Sequence, residues 1–395
     1  MSEAYLVDGV RTPVGRYGGA LAGIRPDDLA ALVVGETVTR SRIPAEAIDE
    51  VILGAANQAG EDNRNVARMA VLLAGLPDSI PGLTVNRLCA SGMSAIALAA
   101  NAVRAGDADL IVAGGVESMT RAPWVQSKPE RAWAKPGAAF DTSIGWRFTN
   151  PRLAARDKAT YSMPETAEEV ARVDGISRVD ADAFALQSHQ RAVAAIDAGR
   201  FADEIVGVET GRGIVDTDEG PRRDTTLDAL AKLRAVVAGG EVVTAGNSSS
   251  LNDGASAIVV ASAEAVERHG LRPRARIVAS ATAALAPEIM GLGPVPATQK
   301  VLAKAGLQVG DLGAIELNEA FASQSLACIR RLGIDPSIVN ADGGAIALGH
   351  PLGSSGSRLI VTLLGRLERE DARYGLATMC VGVGQGTAMI VERLA

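Results

Sequence analysis

Short apolar runs alternate along this chain with longer segments whose apolar residues recur at helical spacing. The segment "PDDLAALVVGETVTRS" begins at Pro26 with two aspartates in its first turn, and "DADAFALQSHQRAVAAIDAG" ends at Gly199, which are typical helix boundaries. The short runs predict buried strands. They include "AYLVDGVRT", "EVILGAANQ", "ADLIVAGGV", "GAIELNEAF" and "GLATMCVGV". This alternation predicts an α/β fold with buried sheets.

The sequence also echoes itself at a nearly constant distance. Ser91-Gly92 precedes a helical segment and then the run "LIVAGGV", and the same order recurs 264 positions later from Ser355-Gly356 to "LATMCVGV". The run at 50–58 has a counterpart 263 positions later, at 313–321. A constant offset over several elements indicates two similar α/β halves that were duplicated and joined.

The echo suggests boundaries for the parts of the chain. We assign residues 1–118 to the first half and 246–395 to the second half, with the second repeat starting near residue 270. Residues 119–245 form a loop domain together with the return to the first half.

The segment 121–148 inside this loop domain differs in composition from the rest of the chain. It contains all three tryptophans, Trp124, Trp133 and Trp146, with prolines and basic residues between them. Long irregular segments of enzymes are often lids or binding loops. An arm that contacts another subunit explains the composition equally well.

Composition and charge exclude several classes of protein. A chain of 395 residues with 47% hydrophobic residues can bury more than one core, and its net charge of −7 is unsuited to binding nucleic acid through phosphates. No apolar run reaches membrane-spanning length, and the start lacks a signal-peptide pattern. The three cysteines are widely separated, which is typical of a reducing compartment. We therefore expect a cytoplasmic protein without a membrane or nucleic-acid partner.

Cys89 in "NRLCASGMSA" is the first candidate for chemistry. It lies at the start of a predicted helix, where backbone N–H groups and the helix dipole lower a thiol pKa from about 8.5 and favour a nucleophilic thiolate. The alternative is a small buried side chain that only packs.

A cysteine nucleophile needs a base, and the chain has three histidines. His189 belongs to an apolar stripe at helical spacing, which indicates packing or an interface, and His269 falls at a helix end. His350 lies in "GGAIALGHPLGSSG", in the turn before the helix of the second half, where the repeat places the counterpart of the Cys89 turn. Two such turns facing each other would bring Cys89 and His350 together.

The other two cysteines differ in their surroundings. Cys380 ends a predicted strand and enters the glycine-rich "VGVGQG", where backbone N–H groups can approach a ligand closely and form an oxyanion hole. Cys328 shares a helical face with Phe321 and is predicted to lie in the core. The cysteines and histidines lack the short paired spacings of zinc sites, so we expect no metal.

Seven motifs taken in order along the chain resemble the thiolase family. They are "NRLCASGMSA", "GGVESM", "TAGNSSSLNDGA", "MGLGPVPA", "NEAFA", "GGAIALGHPLGSSG" and "CVGVGQG". The resemblance implies two α/β halves in a five-layered α/β/α/β/α fold with an inserted loop domain. It also implies transfer of an acyl group between a cysteine and coenzyme A, by cleavage or formation of a carbon–carbon bond in a 3-oxoacyl-CoA.

The resemblance assigns roles to five residues. Cys89 matches the acylated nucleophile, His350 the base that activates it, and Cys380 the second acid/base. Asn318 matches the residue that holds a water beside His350 in one oxyanion hole. The backbone N–H groups of Cys89 and Gly382 match the second oxyanion hole.

The resemblance further implies coenzyme A as a substrate, with no permanently bound cofactor, and a homodimer or homotetramer. Ser249 and Arg222 match contacts to coenzyme A, although Arg223 fits the latter position equally well. Met163 and Phe321 match further residues of the same binding site.

Residues of the loop domain distinguish biosynthetic from degradative members of the family. Short-chain biosynthetic members carry His-Met-Gly where this chain has Ser162, Met163 and Pro164, and "DTSIGWRFTNP" resembles degradative members that cleave 3-oxoadipyl-CoA. Arg147 in this segment is a candidate partner for a distal substrate carboxylate, although it fits a solvated loop as well. Synthesis of acetoacetyl-CoA, a decarboxylating ketoacyl synthase and a non-catalytic acyl-CoA-binding scaffold are the alternatives.

Overall fold

The computed structural model describes residues 3–394 and contains fourteen strands and twelve helices in this range. The strands, β1 to β14, are Tyr5–Arg11, Gly15–Arg16, Glu50–Gly54, Gly82–Val85, Leu110–Ser118, Trp124–Val125, Phe140–Asp141, Val208–Thr210, Gly213–Val215, Asn252–Ala261, Ala275–Ala284, Leu312–Leu317, Tyr374–Val381 and Gln385–Arg393. The helices, α1 to α12, are Pro26–Ser41, Val66–Leu73, Ser91–Ala105, Pro151–Ala154, Met163–Asp174, Arg178–Asp197, Leu227–Ala231, Ala263–Arg268, Pro294–Ala305, Ala322–Leu332, Ala345–Leu348 and Leu352–Arg369.

The main sheet has the same strand order in both halves of the chain. In the first half the order is β4-β3-β5-β10-β1, and in the second half it is β12-β13-β14-β11. An isolated parallel bridge from Val339 to Ile315 of β12 occupies the place that β4 has in the first half. Strands β1 and β11 pair antiparallel, which joins the two halves edge to edge. The repeated order is what the sequence echo predicts. Strand β10 lies beyond residue 245 but before the start of the second repeat near residue 270, and it pairs with β1 and β5 of the first half. The boundaries near 118 and 245 stay predictions.

The elements stack in five layers. Helices α3 and α12 pack on each other between the two half-sheets, and the core there contains Met93, Ile96, Leu363 and Met389. Helices α1 and α2 cover the outer face of the first half-sheet, and α9 covers the outer face of the second. Apolar burial on both faces explains why the strands read as continuous apolar runs.

Two glycines allow the central helices to touch. A Cβ on Gly92 of α3 would lie 2.6 Å from Oγ of Ser357, and a Cβ on Gly356 of α12 would lie 2.5 Å from the backbone nitrogen of Met93. Since no side chain fits at either position, the repeated Ser-Gly pair is a contact between the starts of the two helices. This contact brings the turn before α3 next to the turn before α12.

The loop domain extends from the layered core. Its hairpin of β6 and β7 carries exposed aromatic residues, among them Trp124 and Trp133. Trp146 donates a hydrogen bond from Nε1 to the carbonyl oxygen of Tyr161 at 3.2 Å, which ties the segment to the residues before α5.

One helical segment of the described residues, Leu88–Ala105, is long and apolar enough to span a membrane by length and composition alone. It includes Asn101 and Arg104, so it is not the uninterrupted apolar run whose absence the sequence predicts. It comprises α3 and the turn before it, and half of the segment is buried inside the molecule. A helix packed between two sheets needs apolar residues on several faces, so a core helix can satisfy the same criterion.

Candidate active site

Cys89 lies in a 3₁₀ turn, Leu88–Ala90, directly before α3. Ser91 closes this turn because its Oγ accepts from the backbone N–H of Arg87 at 2.9 Å and donates to the carbonyl oxygen of Leu88 at 2.7 Å. Leu88 has a positive φ of 48°, an uncommon conformation for a branched residue. The turn packs against α12 and β13, so its position depends on the second half of the chain.

The thiol of Cys89 is neutral at rest. Burial raises its pKa to about 11, and the charge of Glu117 acts in the same direction. The backbone N–H groups of Gly382 and of Cys89 itself lower the pKa, but by less. The expectation that the helix start favours a thiolate is therefore wrong for the free protein, because removal of the sulfur from water outweighs the local N–H groups. A base must take the proton.

His350 lies between α11 and α12 and is buried. Its backbone N–H donates to Oδ1 of Asn252 at 2.9 Å, and its Nδ1 lies 2.6 Å from Oγ of Ser355. The Ser355 hydroxyl donates to the carbonyl oxygen of Pro351 at 2.9 Å, so its oxygen is left to accept the proton of Nδ1. Nε2 is thereby the unprotonated nitrogen of the ring.

The imidazole is kept neutral by its surroundings. Burial lowers the pKa of His350 to about 3, and the positive charge of Arg358 contributes in the same direction. A neutral ring with a free Nε2 is the form that can accept a proton from a thiol.

Asn318 follows β12 and faces the same nitrogen. Its Nδ2 lies 3.4 Å from Nε2 of His350, and its backbone N–H donates to the carbonyl oxygen of Thr378 in β13 at 3.0 Å. Its Oδ1 is buried and has no hydrogen-bond partner. A buried acceptor without a partner is costly, and it marks a place where a polar ligand or a water can bind.

Cys380 and Gly382 lie at the end of β13. Burial raises the pKa of the Cys380 thiol well above its usual range. The turn that carries Cys89 packs against β13, the strand that carries Cys380. The chain then turns through Val383 and Gly384, whose φ angles are 63° and 75°. The backbone N–H of Gly382, just before this turn, lowers the pKa of the Cys89 thiol.

The residues expected to bind coenzyme A border this site. Met163 is the first residue of α5, and its sulfur lies 3.9 Å from where a Cβ of Gly382 would be. Met163 and Phe321 pack in one apolar cluster with Cys380. The backbone N–H of Ser249 donates to the carbonyl oxygen of Ala320 at 2.9 Å, so the "NSSS" loop lies beside the "NEAF" segment.

Comparison with known proteins agrees with this geometry. Residues 4–264 match the family model "Thiolase, N-terminal domain", and residues 271–393 match "Thiolase, C-terminal domain". The chain belongs to the thiolase family.

Individual relatives cover the whole chain. It is 56% identical over 402 residues to the 3-oxoadipyl-CoA/3-oxo-5,6-dehydrosuberyl-CoA thiolase of Escherichia coli K12, with 100% of both chains covered. It is 56% identical over 399 residues to the beta-ketoadipyl-CoA thiolase of Pseudomonas aeruginosa, with 99% of both covered. The human mitochondrial 3-ketoacyl-CoA thiolase, solved in complex with CoA, superposes with a TM-score of 0.93 at 38% identity, covering 100% of this chain and 98% of that one.

These matches confirm the predicted thiolase fold and the prediction of an acyltransferase. They also confirm that the chain is an enzyme and not a non-catalytic scaffold, since the matched relatives are named as thiolases. The degradative assignment agrees with the names of the two bacterial relatives. The roles of individual residues stay predictions that rest on the geometry above.

Arg222 and Arg223, the two candidates for a contact to coenzyme A, have different surroundings in the structure. Arg223 makes two hydrogen bonds to the carboxylate of Asp197, at 2.8 and 2.5 Å. Arg222 is exposed, and its backbone N–H donates to Nδ1 of His189 at 3.2 Å. Burial lowers the pKa of His189 to about 4, so this histidine is a neutral acceptor in the core, as its apolar stripe predicts.

The remaining candidates lie outside the site. Cys328 is fully buried in α10 and donates to the carbonyl oxygen of Gly291 at 3.3 Å, and His269 ends α8. Within residues 3–394 no group of three or more histidines, cysteines or carboxylates is arranged to hold a metal ion.

Sequence reasoning missed the residues that hold His350. In the sequence, Ser355 stands out only as part of the repeated Ser-Gly pair, although a hydroxyl five residues after a histidine at a helix start is a detectable pattern. Asn252 and Glu117 carry no such signal, because each reaches the His350 turn from a distant part of the sequence.

Proposed function

We propose that this enzyme cleaves a 3-oxoacyl-CoA with a distal carboxylate, such as 3-oxoadipyl-CoA, by thiolysis with coenzyme A. The observation that carries the chemistry is the buried His350, whose Nδ1 is held by Ser355 and whose Nε2 faces Asn318. Its turn leads into α12, which packs against the turn that carries Cys89. Both E. coli and P. aeruginosa relatives are named for 3-oxo dicarboxylic acyl-CoA substrates, which supports the substrate class.

The first half of the proposed reaction breaks the carbon–carbon bond. Nε2 of His350 takes the proton of Cys89, and the thiolate attacks the 3-oxo carbon. The oxyanion is held by the backbone N–H groups of Cys89 and Gly382. When the bond between C2 and C3 breaks, the acetyl-CoA enolate oxygen is held by His350, now protonated at Nε2, and by a water on Asn318. Cys380 then gives its proton to C2.

The second half releases the shortened acyl group. Coenzyme A gives its thiol proton to the Cys380 thiolate and attacks the acyl-Cys89 thioester. The Cys89 thiolate leaves and recovers its proton from Nε2 of His350. All groups return to their initial neutral state, so the proposed cycle requires no metal and no redox cofactor.

A thiolase is suited to this chemistry because a thiolate is both a nucleophile and a good leaving group. The initial neutrality of both groups keeps Cys89 protonated until substrate is bound. We propose that the enzyme acts in the cytoplasm as a homodimer or homotetramer. Its substrates are coenzyme A and an acyl-CoA.

The deciding experiment compares kcat/KM for thiolysis of acetoacetyl-CoA, a medium-chain 3-oxoacyl-CoA and 3-oxoadipyl-CoA. We expect a preference of at least about tenfold for 3-oxoadipyl-CoA, which corresponds to about 1.4 kcal/mol in transition-state binding. Equal or better turnover of the plain chains contradicts the proposed substrate. A preference for acetyl-CoA condensation with no thiolysis of longer substrates supports the biosynthetic alternative.

Ser162 supports the degradative direction. Ser162 is the N-cap residue of α5, and its hydroxyl and backbone N–H both donate to Oε2 of Glu165 in the first turn of the helix. The position that is a histidine in biosynthetic members therefore has a structural role in this chain.

Arg147 is the proposed partner of the distal carboxylate. It is half-buried in the loop domain, and no carboxylate within residues 3–394 forms an ion pair with it. Arg147→Ala is expected to lower the kcat/KM ratio of 3-oxoadipyl-CoA to acetoacetyl-CoA about tenfold. Arg152→Ala, an exposed arginine of the same loop domain, is the matched control and should leave the ratio unchanged. An unchanged ratio in Arg147→Ala contradicts the assignment.

Arg222 is the proposed contact to the nucleotide of coenzyme A. Because Arg223 is already bound to Asp197, we expect Arg222→Ala to raise KM for coenzyme A several-fold and Arg223→Ala to change it by less than about twofold. The reverse order of effects assigns the contact to Arg223.

A further inference from the structure

Glu117 is a buried carboxylate beside the site that the proposed mechanism does not use. It lies near the end of β5 and is 5% exposed. Within residues 3–394 no lysine or arginine forms an ion pair with it. Its partners are backbone N–H groups alone: Oε1 accepts from Asn57 at 3.1 Å, and Oε2 accepts from Ala56 at 2.9 Å and from Gly353 at 2.8 Å.

These three N–H groups belong to different halves of the chain. Ala56 and Asn57 follow β3 in the first half, whereas Gly353 lies in the first turn of α12 in the second. The first N–H groups of a helix lack partners within the helix, and Pro351 at the N-cap of α12 supplies no side-chain acceptor. The Glu117 carboxylate therefore caps α12 from the other half, with its negative charge at the favourable end of the helix dipole.

Close packing leaves this helix start in one position. A Cβ on Gly353 would overlap the carbonyl oxygen of Val116, and a Cβ on Gly115 would overlap the carbonyl oxygen of Gly353. The backbones of β5 and α12 touch here. His350 precedes Gly353 by three residues, so a shift of the helix start moves the imidazole.

The charge of Glu117 also reaches the nucleophile. It raises the pKa of Cys89, and burial raises the pKa of Glu117 itself to about 7 against the opposing effect of its three N–H donors. Loss of this charge thus has a signature on Cys89 that loss of packing alone lacks.

We propose that Glu117 is a positioning residue, whose carboxylate fixes the first turn of α12, and with it His350, against the half of the chain that carries Cys89. This inference rests on the proposed roles of Cys89 and His350.

The test uses Glu117→Gln and Glu117→Asp in the full-length enzyme. Glu117→Gln removes the charge and turns an NH₂ group toward N–H donors, so kcat for thiolysis should fall at least about tenfold while KM for coenzyme A changes less than about twofold. The apparent pKa for alkylation of Cys89 by iodoacetamide should fall, because the charge that raises it is removed. Glu117→Asp keeps a charge but is shorter, so kcat should fall while the alkylation pKa stays close to the wild-type value.

The matched control is Asp49→Asn, directly before β3, whose side chain binds the opposite end of β5. Oδ2 of Asp49 accepts the backbone N–H groups of Asp109 and Leu110 at 2.7 and 2.9 Å, far along the strand from Cys89. This variant should lose thermal stability but keep both kcat and the alkylation pKa.

Other results overturn the proposal. If Glu117→Gln keeps kcat within about twofold of the wild type, Glu117 does not position His350. The same conclusion follows if kcat falls only in proportion to the fraction of protein whose Cys89 can be alkylated, while the alkylation pKa is unchanged. Should Glu117→Gln fail to fold, wild-type kcat in Glu117→Asp overturns the proposal instead. If alkylation of Cys89 in the wild type leaves thiolysis intact, the proposed function fails first, and that result is separate from any effect at Glu117.

Discussion

The turn that carries Cys89 and the turn that carries His350 occupy the same place in the two halves, yet they are held differently. The Cys89 turn is closed by its own neighbour, Ser91, through hydrogen bonds to Arg87 and Leu88. The His350 turn depends on Asn252 from a distant strand, together with Ser355. A thiol has a single reacting atom, so its turn needs only to place the sulfur near the substrate. An imidazole has two nitrogens, so its turn must also fix which of them faces the reacting group.

Burial acts on the two side chains in opposite directions. It raises the pKa of Cys89 to about 11 and lowers that of His350 to about 3, since in both cases the charged form is disfavoured. The two groups are therefore both neutral at rest. The two turns therefore do not differ in charge. They differ in how the side chain is oriented and in its role, since Cys89 donates a proton and His350 accepts it.

The largest expected effect comes from removing the nucleophile. Cys89→Ala should lower kcat at least about 10⁴-fold while leaving the circular dichroism spectrum and Tm close to the wild type, because the residue is a small one on a locally closed turn. Cys328→Ala, a buried cysteine in α10, is the control for loss of a thiol and should retain turnover. An intact Cys89→Ala enzyme with undiminished thiolysis contradicts the mechanism.

The second prediction concerns the contact that brings the two turns together. Gly92→Ala and Gly356→Ala should each destabilise the protein by about 3 kcal/mol, since the new methyl group meets backbone atoms of the facing helix. Gly310→Ala, where a Cβ meets nothing within 4 Å, should stay within about 0.5 kcal/mol in urea unfolding. If only one of the two helix glycines is sensitive, the contact is less symmetric than the repeat suggests.

The third prediction tests orientation of the base. Ser355→Ala leaves Nδ1 of His350 without its acceptor, so the ring can adopt the other tautomer, and kcat should fall about 10- to 100-fold. Ser355→Thr keeps the hydroxyl and is expected to recover most of the activity. A loss in Ser355→Ala that appears in KM rather than in kcat would point to substrate binding instead.

The fourth prediction concerns stability against pH. The unfolded chain protonates His350 below about pH 6.5, whereas the folded chain resists protonation down to about pH 3, so the unfolded state binds more protons and stability falls as the pH is lowered between these values. Compared with His350→Gln, the wild type should lose up to about 1.4 kcal/mol more per pH unit. Urea titrations at pH 7 and pH 5 measure this difference, and equal slopes contradict a neutral buried His350.

The sequence predicts those features that local pattern and repetition determine. Helix α1 begins at Pro26 and ends at Ser41, as its periodicity and acidic first turn predict. The repeated Ser-Gly pair predicts two equivalent helix starts, and the placement of Cys89 and His350 follows from it. The α/β class was predicted in the same way, whereas the family and the five-layered arrangement were implied by the resemblance of seven motifs.

What the sequence could not supply depends on contacts between distant residues. The direction of the Cys89 pKa was predicted wrongly because a helix start is a local feature, whereas burial of the sulfur comes from α12 and β13. The hydrogen bonds of Asn252 and Glu117 join positions about a hundred or more residues apart and have no periodic signature.

The pairing of one turn from each half has a consequence for symmetry. A twofold dimer of identical half-length chains would carry the same side chain on both turns, because symmetry makes the two copies equal. When both halves lie on one chain, the turns are free to differ, and here one carries a thiol and the other an imidazole. The duplication has thus converted a symmetric contact into a polarised pair, with a proton donor on one side of the axis and an acceptor on the other.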